Sequence, residues 1–232
     1  MSSNPTPLPE MSRVLLAGAT GLIGQQCLRL LLKDPMVTEL RVLLRRGMSA
    51  ADLAPDPAMS AYCPKLKVLV SPFDRLHEHP DWFEVDAVFC ALGTTIKKAK
   101  TQAAFREVDF QHPLTIARLA RQQGAKHYLL VSALGASAQS RVFYSRVKGE
   151  LEDALKALNF EALTFAQPSL LLGDRAEFRP GELIGQHLAF LIPTKYKPVH
   201  VRQVALGLWQ SARQGRRGLH ILNNTALLRQ PA

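Results

Sequence analysis

The sequence predicts an α/β fold built on a doubly wound parallel sheet, and three observations carry the prediction. Short, near-continuous apolar segments recur with helical spacing between them, the pattern of strands covered on both faces. Val14-Leu15-Leu16-Ala17 runs straight into Gly18-Ala19-Thr20-Gly21-Leu22-Ile23-Gly24, so a buried strand feeds a glycine-rich turn and then a helix. Finally, 232 residues with 47% hydrophobic content suit one domain with a real core.

Strands are expected at Arg13–Ala17, Leu40–Leu44, Lys67–Val70, Ala87–Cys90, His127–Val131, Ala162–Ala166 and Leu219–Leu222. Amphipathic stretches at Gln25–Lys33, Pro113–Gln122, Val147–Leu158 and Val201–Ala212 supply helices. Met1 to Met11 is polar and proline-rich, with no apolar core of a signal peptide, so residues 1–12 read as a flexible tail. Residues 13–232 form the single domain. Past Pro168 the pattern loosens, Gly173 to Gly185 is loop-like, and a small substrate-side cap is expected from about residue 169.

No apolar run approaches the ~20 residues that span a bilayer, so no membrane association is expected. Cys27, Cys63 and Cys90 have no metal-type spacing and cannot all pair internally, which points to a reducing cytoplasm and to no metal site. The net charge of +10 is scattered, with short clusters at Arg45-Arg46, Lys97-Lys98-Lys100 and Arg213 to Arg217. No basic stretch is interleaved with aromatics, so the charge reads as a surface that attracts an anionic cofactor, without a nucleic-acid partner.

The glycine turn is where chemistry enters. A helix N-terminus offers unpaired N–H groups and partial positive charge to a pyrophosphate, and Gly18, Gly21 and Gly24 let the backbone turn, approach phosphate and pack. Thr20, Leu22 and Ile23 complete that cradle. The spacing is G-x-x-G-x-x-G, the form associated with extended and atypical short-chain dehydrogenases. The second strand ends in Arg45-Arg46, where a carboxylate would take a ribose 2′-hydroxyl and arginine accommodates a 2′-phosphate. That selects NADP, against the plainer reading of two solvated arginines. Asp74, after the third strand, suits an acceptor for an adenine amino group or a cap for the next short helix. Leu92, Gly93 and Thr94 leave the fourth strand where backbone can run beside the cofactor, and Pro168 and Ser169 leave the sixth near the nicotinamide carboxamide.

Tyr144 and Lys148 lie one helical turn apart and share a face. A phenol with a pKa of ~10 needs a neighbouring positive charge to work near neutrality, and Lys148 provides one while holding ribose hydroxyls. Ser132, at the exit of the fifth strand, is placed to hydrogen-bond the reacting oxygen, with Ser137 and Ser140 as rivals on the same loop.

Taken in order, Gly18–Gly24, Cys90-Ala91-Leu92-Gly93-Thr94-Thr95, Tyr144–Lys148 with Gly149-Glu150, and Asp174-Arg175 with Arg179-Pro180-Gly181-Glu182 closely resemble the Tat-interacting oxidoreductase family of atypical short-chain dehydrogenase/reductases. The resemblance runs from Arg13 to Leu222. It implies a single NADP-binding Rossmann domain, a Ser132-Tyr144-Lys148 triad, and a substrate cleft bordered by Asp174–Glu182. The expected activity is hydride transfer to or from a small carbonyl or alcohol substrate, with an NADPH-sensing regulator without turnover as the alternative. Analogy with related dehydrogenases suggests a homodimer through the Pro113–Gln122 and Val147–Leu158 helices.

Overall fold

Alternation along single strands decides the layering. In β1 (Arg13–Ala17), Val14 and Leu16 enter one apolar core while Leu15 and Ala17 enter another. In β4 (Ala87–Cys90), Ala87 and Phe89 join the first core, and Val88 and Cys90 the second. A strand buried on both faces has no polar side to show, which is why these segments read as unbroken apolar runs. This is a computed structural model, and it describes residues 8, 11–53, 61–173 and 193–232.

The remaining long strands are β2 (Glu39–Leu44), β3 (Leu66–Val70), β5 (His127–Val131), β6 (Ala162–Gln167) and β9 (Gly218–Asn223); Leu171–Leu172 (β7) and Val199–His200 (β8) pair as a small separate ribbon. Among the described residues the main sheet has seven strands in the order β3-β2-β1-β4-β5-β6-β9, parallel throughout. Order reverses between β1 and β4, and the crevice beyond the carboxyl ends at such a switch point is the binding position of open α/β sheets.

Helices α1 (Leu22–Lys33) and, late in the chain, α7 (Val201–Gln214) cover the face of the first core. Asp34, buried at the end of α1, ties them together by accepting from Trp209 Nε1 and Arg213, each at 2.8 Å. After α2 (Ala50–Leu53), the connection from β4 holds three pieces: α3 (Ile96–Ala99), α4 (Gln102–Arg106) and α5 (His112–Gln122). With α6 (Phe143–Lys156), α5 covers the opposite face, and α8 (Asn224–Leu228) closes the chain beneath β9.

Between α4 and α5, Glu107–Gln111 forms a π-helical turn. Its cause is in the sequence: Pro113 has no N–H to give the Asp109 carbonyl four residues back, and its ring would collide with that carbonyl. Widening the helix by one residue removes the conflict, and such bulges cluster at functional sites.

Two expectations fall on stretches that are described only in part. The described part of the tail is docked, because Met11 is buried, the Ser12 N–H and hydroxyl donate to Asp86, and Leu8 N–H donates to the Gly215 carbonyl at 2.8 Å. Gly215 ends α7 in the left-handed region, which exposes that carbonyl. The region expected as a substrate-side cap is, where described, largely structural layer: α7 packs on α1 and β9 is the seventh strand. Single-sequence patterning sees the helix and strand but not the layer each joins. Asp174–Glu182 lies outside the described residues.

Candidate cofactor and active site

The glycine turn closes against the end of β4. Gly18 has φ +89°, and a Cβ there would stand 2.6 Å from the Ala91 carbonyl carbon and oxygen. A Cβ on Gly24 would lie 1.9 Å from the Gly18 carbonyl oxygen, while the Gly21 N–H donates to that same oxygen at 3.0 Å. Gly21 is the N-cap of α1 and contributes no side-chain cap, so the first N–H groups of a twelve-residue helix face the switch-point crevice. Thr20 is exposed on the rim, Leu22 is half-buried and Ile23 buried beneath. A backbone this close, uncapped and free of side chains fits a dinucleotide pyrophosphate.

Gly24→Ala is therefore expected to destabilise the chain by about 1–3 kcal/mol or more, since only backbone atoms stand in the way. In a domain of this size that is roughly 2–4 °C of melting temperature per kcal/mol. Gly47→Ala, where nothing lies within 4 Å, is the matched control and should melt as wild type. Equal melting temperatures would refute the packing argument.

Arg45 and Arg46 are both exposed just past β2. His112, first residue of α5, packs its ring edge-on to Phe73 at 5.0 Å and lies 3.8 Å from Glu107. Its pKa is lowered by burial, against the pull of Glu107, with smaller opposed contributions from Arg45 and Asp74. Arg45, Asp74 and His112 thus share one corner at the ends of β2 and β3. Asp74 is exposed and does not cap the following 3-10 turn, whose N-cap is Arg75 without a side-chain bond.

Past β4, Leu92 and Thr94 are half-buried and Gly93 is exposed. Thr95 is spent on capping α3, accepting from Lys98 N–H at 3.1 Å. Beneath Gly93 lies a buried ion pair: Lys148 Nζ is 2.7 Å from Asp109 Oδ1, with each side chain at most 4% exposed. Asp109 Oδ2 accepts the Thr94 N–H at 2.8 Å. Burial opposes the Lys148 charge, but Asp109, with Tyr144 and Cys90 nearby, outweighs it and raises the lysine pKa.

Tyr144 stands in the first turn of α6, half-buried, its ring 5.7 Å from that of Phe105. Its hydroxyl makes no hydrogen bond among the described residues. Lys148 and Glu152 follow at four-residue steps on the same face. Ser132 is 3% exposed and donates its hydroxyl to Glu152 Oε1, and the Gln167 amide donates to both oxygens of Glu152 at 3.0 and 3.1 Å. The rival serines are spent locally: Ser137 donates to Gln139, and Ser140 accepts from Val142 N–H. Pro168 is buried with its carbonyl held by Leu134 N–H; Ser169 gives its N–H to Asn224 and its hydroxyl to the Lys197 carbonyl.

Reading residues singly missed Asp109, Glu152 and His112. Pro113 inside a helical stretch was the available signal for Asp109, and the Tyr-Lys-Glu stripe at four-residue steps was the signal for Glu152. Cys90 is buried and burial pushes its thiol pKa up, while the Cys27 thiol is pushed up to about 12.

This is a dinucleotide-type Rossmann architecture, and solved structures share it. The enzyme WbmH of Bordetella bronchiseptica, solved with NAD+, superposes with a TM-score of 0.65 at 14% identity, covering 92% of this chain and 75% of that one. The chain belongs to the HIM1 family, which it matches over residues 70–204. It is 35% identical over 182 residues to the protein fmp52, mitochondrial, of Emericella nidulans, covering 77% of this chain and 75% of that protein. The resemblance to the Tat-interacting oxidoreductase family stands as well. HTATIP2 of Rattus norvegicus is 32% identical over 184 residues, covering 79% of this chain and 72% of that protein. The fungal relatives correct the cytoplasmic expectation, because their names place them in mitochondria. Cysteine spacing by itself does not name a compartment.

Proposed function

We propose that this chain is an NADP(H)-dependent oxidoreductase acting on a small carbonyl or alcohol substrate. The observation that carries the reading is the switch-point crevice. A glycine turn closed on Ala91 forms one wall, and a buried Lys148 one helical turn from Tyr144 lies under the other. Kinship with HTATIP2 and the NAD+ bound to WbmH support a nicotinamide cofactor.

In this reading the backbone of Gly18, Thr20, Gly21, Leu22, Ile23 and Gly24 holds the pyrophosphate, and Arg45 and Arg46 take the 2′-phosphate. Asp74 accepts from the adenine, while Leu92, Gly93 and Thr94 line the passage to the ribose, which Lys148 holds. Pro168 and Ser169 form the wall at the carboxamide end. When bound, the nicotinamide supplies or accepts the hydride. Tyr144 gives or takes the proton at the substrate oxygen, its phenolate favoured by the Lys148 ammonium. Ser132 donates to that oxygen after releasing Glu152.

Each charge-assisted arginine–phosphate bond is worth about 1.5–3 kcal/mol, roughly a 10- to 150-fold preference for NADPH. Titration followed by nicotinamide fluorescence should give tight NADPH binding and weaker NADH binding. In Arg45→Ala/Arg46→Ala the NADPH preference should vanish with NADH affinity unchanged. A preference that survives would sink the assignment.

One observation favours a second reading, a nucleotide-sensing protein without turnover: the Ser132 hydroxyl is already donated to Glu152. Biological function that persists in Tyr144→Phe would support it.

A further inference from the structure

The Asp109–Lys148 pair is built at some cost. Asp109 is 1% exposed, sits on a π-helical turn forced by Pro113, and leaves Oδ1 without a well-directed hydrogen bond, facing the ammonium. Breaking such a pair by removing one partner strands the other charge in a dry site. Its position is also specific. A Cβ on Gly93 would lie 3.4 Å from Asp109 Oδ1 and 3.9 Å from Lys148 Nζ, so the pair lies directly under the exposed turn that leaves β4. The second carboxylate oxygen holds that turn by the Thr94 N–H. One side chain therefore fixes both the charge and the backbone expected beside the nicotinamide ribose.

We infer that Asp109 is a positioning residue of the cofactor site, clamping the Lys148 ammonium to the Leu92–Thr94 turn where the ribose is expected. This rests on the NADP(H) reading above. The groups facing Lys148 are Asp109 from the π turn, Cys90 from β4 and Tyr144 from its own helix. Burial alone lowers a lysine by as much as about 3–5 units, and Asp109 is the largest of the groups that oppose it here, ahead of Tyr144 and Cys90.

Asp109→Asn keeps an oxygen for the Thr94 N–H and removes only the charge. With the largest opposition to burial removed, the Lys148 pKa is expected to fall, so that the ammonium loses its proton within the working pH range. NADPH affinity, read by nicotinamide fluorescence, should be flat from about pH 7 to 9 in wild type. In the variant it should fall over that range by about 10- to 150-fold, the size of one charge-assisted bond. In Lys148→Met, adding Asp109→Asn should bring no further pH dependence. Melting temperatures without nucleotide separate folding from this effect, because a scaffold role lowers them without tilting the binding profile.

A pH-independent loss in Asp109→Asn, or no loss, would overturn the role while leaving the cofactor reading intact. Wild-type protein that binds neither NADPH nor NADH would overturn the cofactor reading and this role with it.

Discussion

Tyr144→Phe is expected to lose about 10²–10⁴-fold of NADPH-dependent turnover on any carbonyl compound the wild type accepts. NADPH affinity should stay within about five-fold, because no cofactor contact is assigned to the phenol and the loss of one uncharged hydrogen bond is worth about 1 kcal/mol. The ring should still pack, since its contact with Phe105 uses the aromatic face and Phe143 packs on the same side at 5.6 Å. The change therefore removes one O–H from a site otherwise intact. Turnover measured as NADPH oxidation, alongside fluorescence titration, distinguishes the outcomes. Lost turnover with retained binding supports proton transfer at Tyr144. Turnover kept within about three-fold would remove Tyr144 from the chemistry and shift weight to the sensing alternative. Ser132→Ala gives a milder companion result, because Ser132 must give up Glu152 before it serves a substrate oxygen.

How much of this could be read from the chain alone depends on where each fact is stored. Strand positions are local: β1 at Arg13–Ala17, β4 at Ala87–Cys90 and β5 at His127–Val131 stand where the apolar runs put them. The glycine turn is local too, since Gly18 and Gly24 are needed by backbone only a few residues away or by the neighbouring strand. Helix α6 was harder. Its amphipathic stretch starts only at Val147, although the Tyr144–Lys148 spacing already puts Tyr144 on the helix, and the helix begins at Phe143, because its first turn is aromatic and half-buried and packs against Phe105.

What stayed hidden are pairings set by how α6 and the π turn lie on the sheet. Ser132 and Glu152 are twenty residues apart, and nothing in either segment announces that one will bury its hydroxyl against the other. Gly149 is a related case. Placed after the Tyr-Lys pair, it reads as part of a motif, yet a Cβ there would come within 2.2 Å of the Ser137 carbonyl carbon. Its role is to admit the loop that follows β5, so the serine-bearing loop and the tyrosine-bearing helix are fitted to each other at a position without a side chain.

The second large effect lies away from the crevice, at the other end of the sheet. His127 opens β5, is 3% exposed, and bonds through Nε2 to Thr164 Oγ1 at 2.8 Å, which in turn meets Ser211 Oγ on α7 at 2.8 Å. Burial, with a smaller contribution from His220, lowers its pKa from 6.5 to about 3. The sign follows from proton counting. Between about pH 6.5 and 3 the unfolded chain holds a proton on this residue that the folded chain excludes, so stability falls as pH falls through that window and is fully present above it. At about 1.4 kcal/mol per unit, the loss from this one group between pH 7 and pH 4.5 is about 3 kcal/mol, and it grows further towards pH 3. His127→Gln keeps a hydrogen-bonding group near Thr164 and cannot titrate. Urea unfolding at pH 7 and pH 4.5 should show the wild type losing about 3 kcal/mol more than the variant over that interval, with the variant somewhat less stable at pH 7 from imperfect packing. Parallel losses in the two proteins would mean that the acid sensitivity arises elsewhere, and that the His127–Thr164–Ser211 chain opens to water before it is protonated.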